Sequence, residues 1–180
     1  VAQDIINNVK LKCCGIKGKY PESEPLTRYF TYLCLSFLIC YSMISYQTDG
    51  VKMPDIKKKE TTEWIKEVAA CYGKRVGEIA YIFCSDDKIL EVNQQYLQHD
   101  YYTDIITFDY CEGDRISGDL FISLDTVRSN AEQFEQPYDR ELHRVIIHGI
   151  LHLCGINDKG PGEREIMEAA ENKALALISL

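Results

Sequence analysis

The sequence predicts an α+β fold: a small mixed β-sheet packed with helices, carrying a metal-binding helix in its C-terminal half. Three observations carry this expectation. Strand-like and helix-like segments alternate from Met43 onward, two neighbouring strands are joined by a short turn, and two histidines lie four residues apart in a strongly apolar helical stretch. The chain has 180 residues, 46% hydrophobic and 27% charged, which suits one domain with an appendage and excludes disorder, collagen and coiled coil.

The elements follow from local pattern. Ile44–Gln47 alternates as a short strand, and Asp49-Gly50 signals a turn. Lys59 to Tyr72 places Trp64, Ile65, Val68 and Ala69 on one helical face, with Gly73 as the stop. Glu78 to Cys84 is β-branched and aromatic, hence a strand. Ser85 caps a helix through Gln95 whose apolar face holds Ile89, Leu90, Val92 and Tyr96. Thr103–Tyr110 and Gly118–Ser123 read as strands around the turn Glu112-Gly113-Asp114. Asp125–Phe134, Pro137–Leu153 and Glu163–Ile178 read as helices, the second starting near Pro137 and stopping at Gly155.

Residues 1–42 differ from the rest. They hold five basic and three acidic residues, whereas residues 43–180 hold fifteen and twenty-five, giving the chain its net charge of −8. That balance excludes a uniformly basic nucleic-acid coat but not a local basic patch. Tyr29 to Thr48 is an uncharged run of 20 residues, near the length that spans a bilayer. Three readings are open: a membrane anchor, an extra packed segment, or an upstream extension before a functional chain starting at Met43. The third is preferred, and a membrane partner is not expected. No small-residue cleavage site follows the apolar stretch, so a signal peptide is not expected either. No CxxC pair occurs, and Cys71, Cys84, Cys111 and Cys154 are scattered like thiols of a reducing, cytoplasmic compartment.

The chemistry concentrates in His148-Gly149-Ile150-Leu151-His152-Leu153-Cys154-Gly155-Ile156-Asn157-Asp158. Histidines at i and i+4 project from one helical face and can share an ion at ~2.0–2.1 Å each. Unpaired imidazoles would be costly among Val145, Ile146, Ile147, Ile150, Leu151 and Leu153. Gly155 can adopt the left-handed conformation that ends the helix, so that Asp158 returns a carboxylate to the same ion. The expected metal ligands are therefore His148, His152 and Asp158, three protein donors with an open fourth position, as in a catalytic site. The spacing is that of the zincin motif H-E-x-x-H-x-x-G-x-x-H with two departures. Gly149 replaces the glutamate base of a peptidase, and Asp158 replaces the third histidine. The first argues against a protease.

This segment resembles the signature H-G-x-L-H-L-x-G-y-D-H of the YbeY family, bacterial endoribonucleases of ribosomal RNA maturation. Val92-Asn93-Gln94-Gln95-Tyr96-Leu97, Thr103-Asp104-Ile105-Ile106-Thr107-Phe108 and Gly118-Asp119-Leu120 resemble further blocks of that family, in the same order. The resemblance covers roughly residues 43–180. It implies a small α+β metalloprotein holding one divalent ion, zinc first, nickel or another transition metal as alternatives. It also implies single-strand-specific RNA cleavage, 16S ribosomal RNA 3′-end maturation and ribosome quality control, with the small ribosomal subunit as partner and no DNA.

Two departures from the family bear on this. Asp158 in place of a third histidine adds negative charge, making a bound water less acidic and favouring harder ions. Leu97 stands where the family has an arginine after Tyr96, and Leu cannot hold a phosphate. Arg144, one turn before His148, offers a substitute for substrate binding, the alternative being a solvated or salt-bridged arginine. Candidates for a general base are His99, His143, Asp104 and Glu141, of which Asp104 reads better as a structural acceptor. The basic clusters Lys57-Lys58-Lys59, Lys74-Arg75 and Arg140/Arg144 are weak signals of RNA contact. Tyr96, Tyr101, Tyr102, Phe108 and Tyr110 could stack on bases, though packing within a core is the plainer expectation. The rivals to a metal-dependent endoribonuclease are a non-catalytic ribosome-assembly factor stapled by its metal, and another two-histidine, one-carboxylate enzyme such as an iron oxygenase.

Overall fold

Alternation along four short segments builds a single sheet. In the computed structural model, which describes residues 43–97 and 100–179, these are β1 (Met43–Thr48), β2 (Arg75–Cys84), β3 (Ile105–Asp109) and β4 (Arg115–Ser123). Their order is β1-β2-β4-β3, with β1, β2 and β4 mutually parallel and β3 antiparallel to β4. The parallel β1/β2 pair needs a crossover, which α1 (Lys58–Cys71) supplies. The β3/β4 pair is the turn-linked hairpin expected from Glu112-Gly113-Asp114, closed by the Glu112–Arg115 bridge. The chain preceding Met43, including most of the uncharged run, lies outside the described residues. Among the described residues no helix is long and apolar enough to cross a membrane.

The remaining helices among the described residues are α2 (Asp86–Val92), α3 (Leu124–Gln133), α4 (Tyr138–Leu153) and α5 (Glu163–Leu175). Ser85 caps α2 through the Lys88 amide, as its sequence suggests, but the helix yields to a π-turn at Asn93–Leu97 rather than continuing to Gln95. Buried Asn93 donates from Nδ2 to the Tyr101 carbonyl at 2.8 Å, so this turn fixes the entry to β3. The last helix stops at Leu175, three residues short of the expected Ile178.

Each face of the sheet has its own core. Tyr81, Phe83, Ile116, Leu120 and Ile122 join Ile65, Val68 and most of α4 in the large one. Trp64 Nε1 donates to the Ala174 carbonyl at 2.8 Å, tying α1 to α5, and Tyr81 Oη donates to the Ile146 carbonyl at 3.2 Å. On the opposite face α2 covers a smaller core of Cys84, Ile89, Val92 and Ile106, with Phe108 and Phe121 against it. Phe108 thus packs as expected, but Tyr96, Tyr101, Tyr102 and Tyr110 are each more than half exposed. Tyr96 still meets Phe108 edge-on, with ring centroids 5.5 Å apart.

The central element is α4, buried on nearly every side from Leu142 to Leu153. Gly149 is what lets it lie so close to the sheet. A Cβ there would come within 2.3 Å of Leu120 Cδ2, 2.8 Å of Ile105 Cδ1 and 3.2 Å of Thr107 Oγ1. A peptidase glutamate at this position has no room, which supplies the physical reason for the departure from the zincin pattern. Gly149→Ala should therefore destabilise the protein by about 1–3 kcal/mol despite alanine's better helix propensity, read as a lowered midpoint in urea unfolding. An unchanged or raised midpoint would show that the contact with the sheet relaxes freely.

Candidate metal centre

The C-terminal end of α4 makes the site. Gly155, at φ +96°, takes the left-handed conformation, and its amide donates to the His152 carbonyl at 2.8 Å. The Ile156 amide donates to the Leu151 carbonyl at 3.0 Å, completing a Schellman closure. The chain reverses and brings Asp158 back beside the histidines. His148 Nε2 and His152 Nε2 are 3.0 Å apart, and Asp158 Oδ2 lies 3.7 Å from the first and 3.6 Å from the second. These are the three side chains that the spacing singles out, and they form the one three-ligand group of this kind among the described residues.

Hydrogen bonding at the far side of each ring fixes what the near side offers. His152 Nδ1 faces the Ile156 carbonyl at 2.9 Å, and a carbonyl only accepts, so that nitrogen carries the proton. His148 Nδ1 faces Glu171 Oε1 at 2.6 Å, and the carboxylate accepts in the same way. Both Nε2 atoms are then lone pairs, pointed at one another beside a third acceptor. Three acceptors converging without a donor repel unless a cation lies among them. Burial and then the neighbouring His148 push His152 below the usual imidazole pKa, which disfavours a proton on that ring. A tetrahedral ion at ~2.0–2.1 Å separates its ligand atoms by about 3.3 Å, a value the three observed distances bracket. The donor set, two imidazoles and one carboxylate, suits a transition ion.

Glu171 is the residue that sequence reasoning missed. It sits on α5, only 5% exposed, on the face where Met167, Ala170, Ala174 and Leu175 are buried. A carboxylate within the apolar face of an amphipathic helix was the available signal. Its charge is balanced by Arg144, whose Nη1 is 3.4 Å from both Glu171 oxygens. Arg144 also donates to both oxygens of buried Glu141, at 2.8 and 2.6 Å, and lies 3.7 Å from Asp104. The Glu141 hydrogen bonds raise the Arg144 pKa still further above its ordinary value. The guanidinium is thus salt-bridged and surrounded by carboxylates.

The candidate bases separate clearly. His143 is buried against Trp64, and its Nδ1 donates to the Asp139 carbonyl at 2.7 Å, away from the ligands. Glu141 is taken up by Arg144. His99 and the Leu97 side chain lie outside the described residues. Asp104 borders two cavities that meet at the ligands. One, of about 480 Å³, lies between β3 and the end of α4; the other, of about 660 Å³, lies between α3, α4 and α5. His148 and Asp158 line both. The four described cysteines are free thiols, and burial pushes Cys84 up to about 12 and Cys111 and Cys154 to about 11, so none of these three is a thiolate nucleophile near neutral pH.

Fold and site together define a small α+β protein with a helix-borne two-histidine, one-carboxylate centre in an open groove. The profile of the family described as Endoribonuclease YbeY matches residues 44–179, and the chain belongs to that family. Among curated relatives, Endoribonuclease YbeY of Phocaeicola vulgatus is 98% identical over 138 residues, which are 77% of this chain and all of the relative. The protein of the same name from Bacteroides thetaiotaomicron is 86% identical over 134 residues, 74% of this chain and 98% of the relative. A solution structure from Thermotoga maritima, 28% identical, superposes with a TM-score of 0.52 over 75% of this chain and 91% of its own.

Two outcomes follow from this geometry. Glu171→Gln keeps an acceptor but removes the charge that polarises His148, and metal affinity should fall about 10–100-fold in a chelator competition. An unchanged affinity would reduce Glu171 to a packing residue. The second concerns His143, whose pKa burial lowers. The unfolded chain takes up this proton near the usual ~6.5 while the folded chain resists it, so the contribution is present above ~6.5 and lost as pH falls through the folded value. Urea unfolding at pH 7.5 and 5.5 should therefore show a smaller acid loss in His143→Gln than in the parent; equal losses would place the sensitivity elsewhere.

Proposed function

We propose that this chain is a metal-dependent endoribonuclease that cuts single-stranded RNA. The observation that carries the reading is the pair of imidazole lone pairs facing each other beside Asp158, in a groove open on both sides, within a chain of this family. The domain of residues 43–180 carries the activity, a boundary supported by the family match over residues 44–179 and by the full coverage of a 138-residue relative. The finer assignments are zinc as the ion, with nickel or another transition metal as alternatives, 16S ribosomal RNA 3′-end maturation and quality control as the role, the small ribosomal subunit as partner and the cytoplasm as the place. They rest on the family resemblance of the motif blocks and on the scattered free thiols.

His148, His152 and Asp158 would hold the ion, and Glu171 and the Ile156 carbonyl keep the two rings in the tautomer that leaves Nε2 free. When bound, the ion supplies Lewis acidity toward a phosphodiester oxygen. Gly149 removes the peptidase base, so the proton of the attacking oxygen goes to another group. Asp104 borders the ligands from β3's entry and accepts it as the attacking oxygen bonds to phosphorus; the P–O bond to the leaving oxygen breaks, and that oxygen takes a proton from solvent. Arg144 holds Glu141 and Glu171 in place and lies close enough to orient Asp104.

The test measures bound metal by elemental mass spectrometry beside cleavage of end-labelled single-stranded and duplex RNA. The parent should carry one equivalent of ion and cut only the single strand, and a chelator should stop it. Asp158→Ala should lose ion and cleavage together. Asp104→Asn should keep the ion and slow cleavage about 10²–10⁴-fold, the usual worth of a general base. A parent that holds its ion but cuts no RNA would favour the metal-stapled assembly factor, a reading that the acidic surroundings of Arg144 keep in play.

A further inference from the structure

The groove is asymmetric about the ligands. Its larger arm, of about 660 Å³, is walled on one side by the end of α3 and the turn after it, with Asn130, Gln133, Phe134 and Gln136 facing the ligand set across the cavity. Its other lining side chains include five carboxylates and two arginines. A phosphate is repelled by such a wall, whereas a nucleobase is neutral and its exocyclic amino group donates to carboxylates and amides. The Phe134 ring is 53% exposed, and no aromatic partner covers it among the described residues. It is presented by the Schellman closure that ends α3, in which Glu135 takes the left-handed conformation at φ +52°. Gln136 N donates to the Ala131 carbonyl at 2.9 Å and Glu135 N to the Glu132 carbonyl at 3.3 Å, holding that turn. The Gln136 side chain donates from Nε2 to the Phe134 carbonyl at 3.4 Å, which leaves Oε1 to accept.

From this arrangement we infer that the larger arm seats one unpaired nucleobase of the substrate, stacked on Phe134 and met by the amides of Asn130, Gln133 and Gln136. Bases with an amino group (adenine, cytosine, guanine) are favoured there over uracil. Because Asp104, His148 and Asp158 line both arms, the phosphodiester at the ligands lies next to this nucleotide, and the subsite selects where the strand is cut. The inference rests on the endoribonuclease reading and sharpens it into a sequence preference. Stacking on an aromatic ring is the sequence-tolerant part of the contact, and the amide and carboxylate wall is the discriminating part.

The experiment uses the full chain with its ion and single-stranded octanucleotides rich in adenine or in uracil. Phe134→Ala should raise KM for the adenine-rich strand tenfold or more, leave kcat within about twofold, and narrow the gap between the two strands. Metal content and the circular-dichroism melt should match the parent. Phe134→Trp should restore the low KM, and its added emission should be quenched by the adenine-rich strand, a signature that a purely structural ring would not give. A parent that cuts RNA beside a Phe134→Ala chain with unchanged KM and unchanged strand preference overturns the subsite and leaves the endoribonuclease reading standing. A parent that neither binds nor cuts either strand overturns both, and does so before any variant is made.

Discussion

The contact of Gly149 with Leu120, Ile105 and Thr107 sets the height at which α4 lies on the sheet, and the rest of the site is measured from it. Because α4 can sink to this depth, Val145, Ile146, Ile147, Ile150 and Leu151 are all withdrawn from solvent. The stripe left facing the groove is narrow, and His148 and His152 occupy it. Their rings stand 4.5 Å apart and perpendicular, an arrangement that an exposed helix with free rotamers would not hold. The β3/β4 hairpin, which supplies Ile105, Thr107 and Leu120, therefore serves as a shelf for the ligand helix and at the same time carries Asp104 to its edge.

The second organising feature is a buried chain of charges. Glu141 and Glu171 are 2% and 5% exposed, and Arg144 lies between them, within ion-pair distance of both. Such buried pairs are costly to form and gain little net stability against apolar replacements. Their return here is directional: the network pins Glu171 Oε1 against His148 Nδ1, and so decides which face of that ring is basic. Arg144 holds the carboxylate that faces a histidine. The environment of the groove is acidic in consequence, with Asp104, Glu141, Asp158, Glu168 and Glu171 along its larger arm.

Much of this was written in the sequence because it depends on spacing. The two histidines, the glycine stop and the returning aspartate lie within eleven residues, where helix periodicity and the left-handed turn at Gly155 leave few other geometries. The mixed sheet was legible for the same reason, since alternation and turn residues are local. What escaped was set by tertiary contact. Nothing near Glu171 in sequence tells that it meets His148, 23 residues away, and the face of α5 that it occupies is buried only once α4 is in place. The π-turn at Asn93 likewise answers to a carbonyl at Tyr101, not to propensity. The exposed tyrosines were misjudged because their strand-like neighbourhood suggested burial, whereas the smaller core behind them is filled by Phe108 and Phe121.

The closure at Gly155 also bears on the order in which the molecule assembles. A site whose three ligands come from one helix end and the turn after it closes a very short loop, so its entropic cost of formation is small and it can take shape before the sheet is complete. The hydrogen bond from His148 to Glu171 is different, for it exists only when α5 has docked. Early in folding the ligand set is therefore a weak, loosely oriented chelate, and it stiffens when the last helix arrives. An ion held by these three ligands would report on whether the helix Glu163–Leu175 has docked.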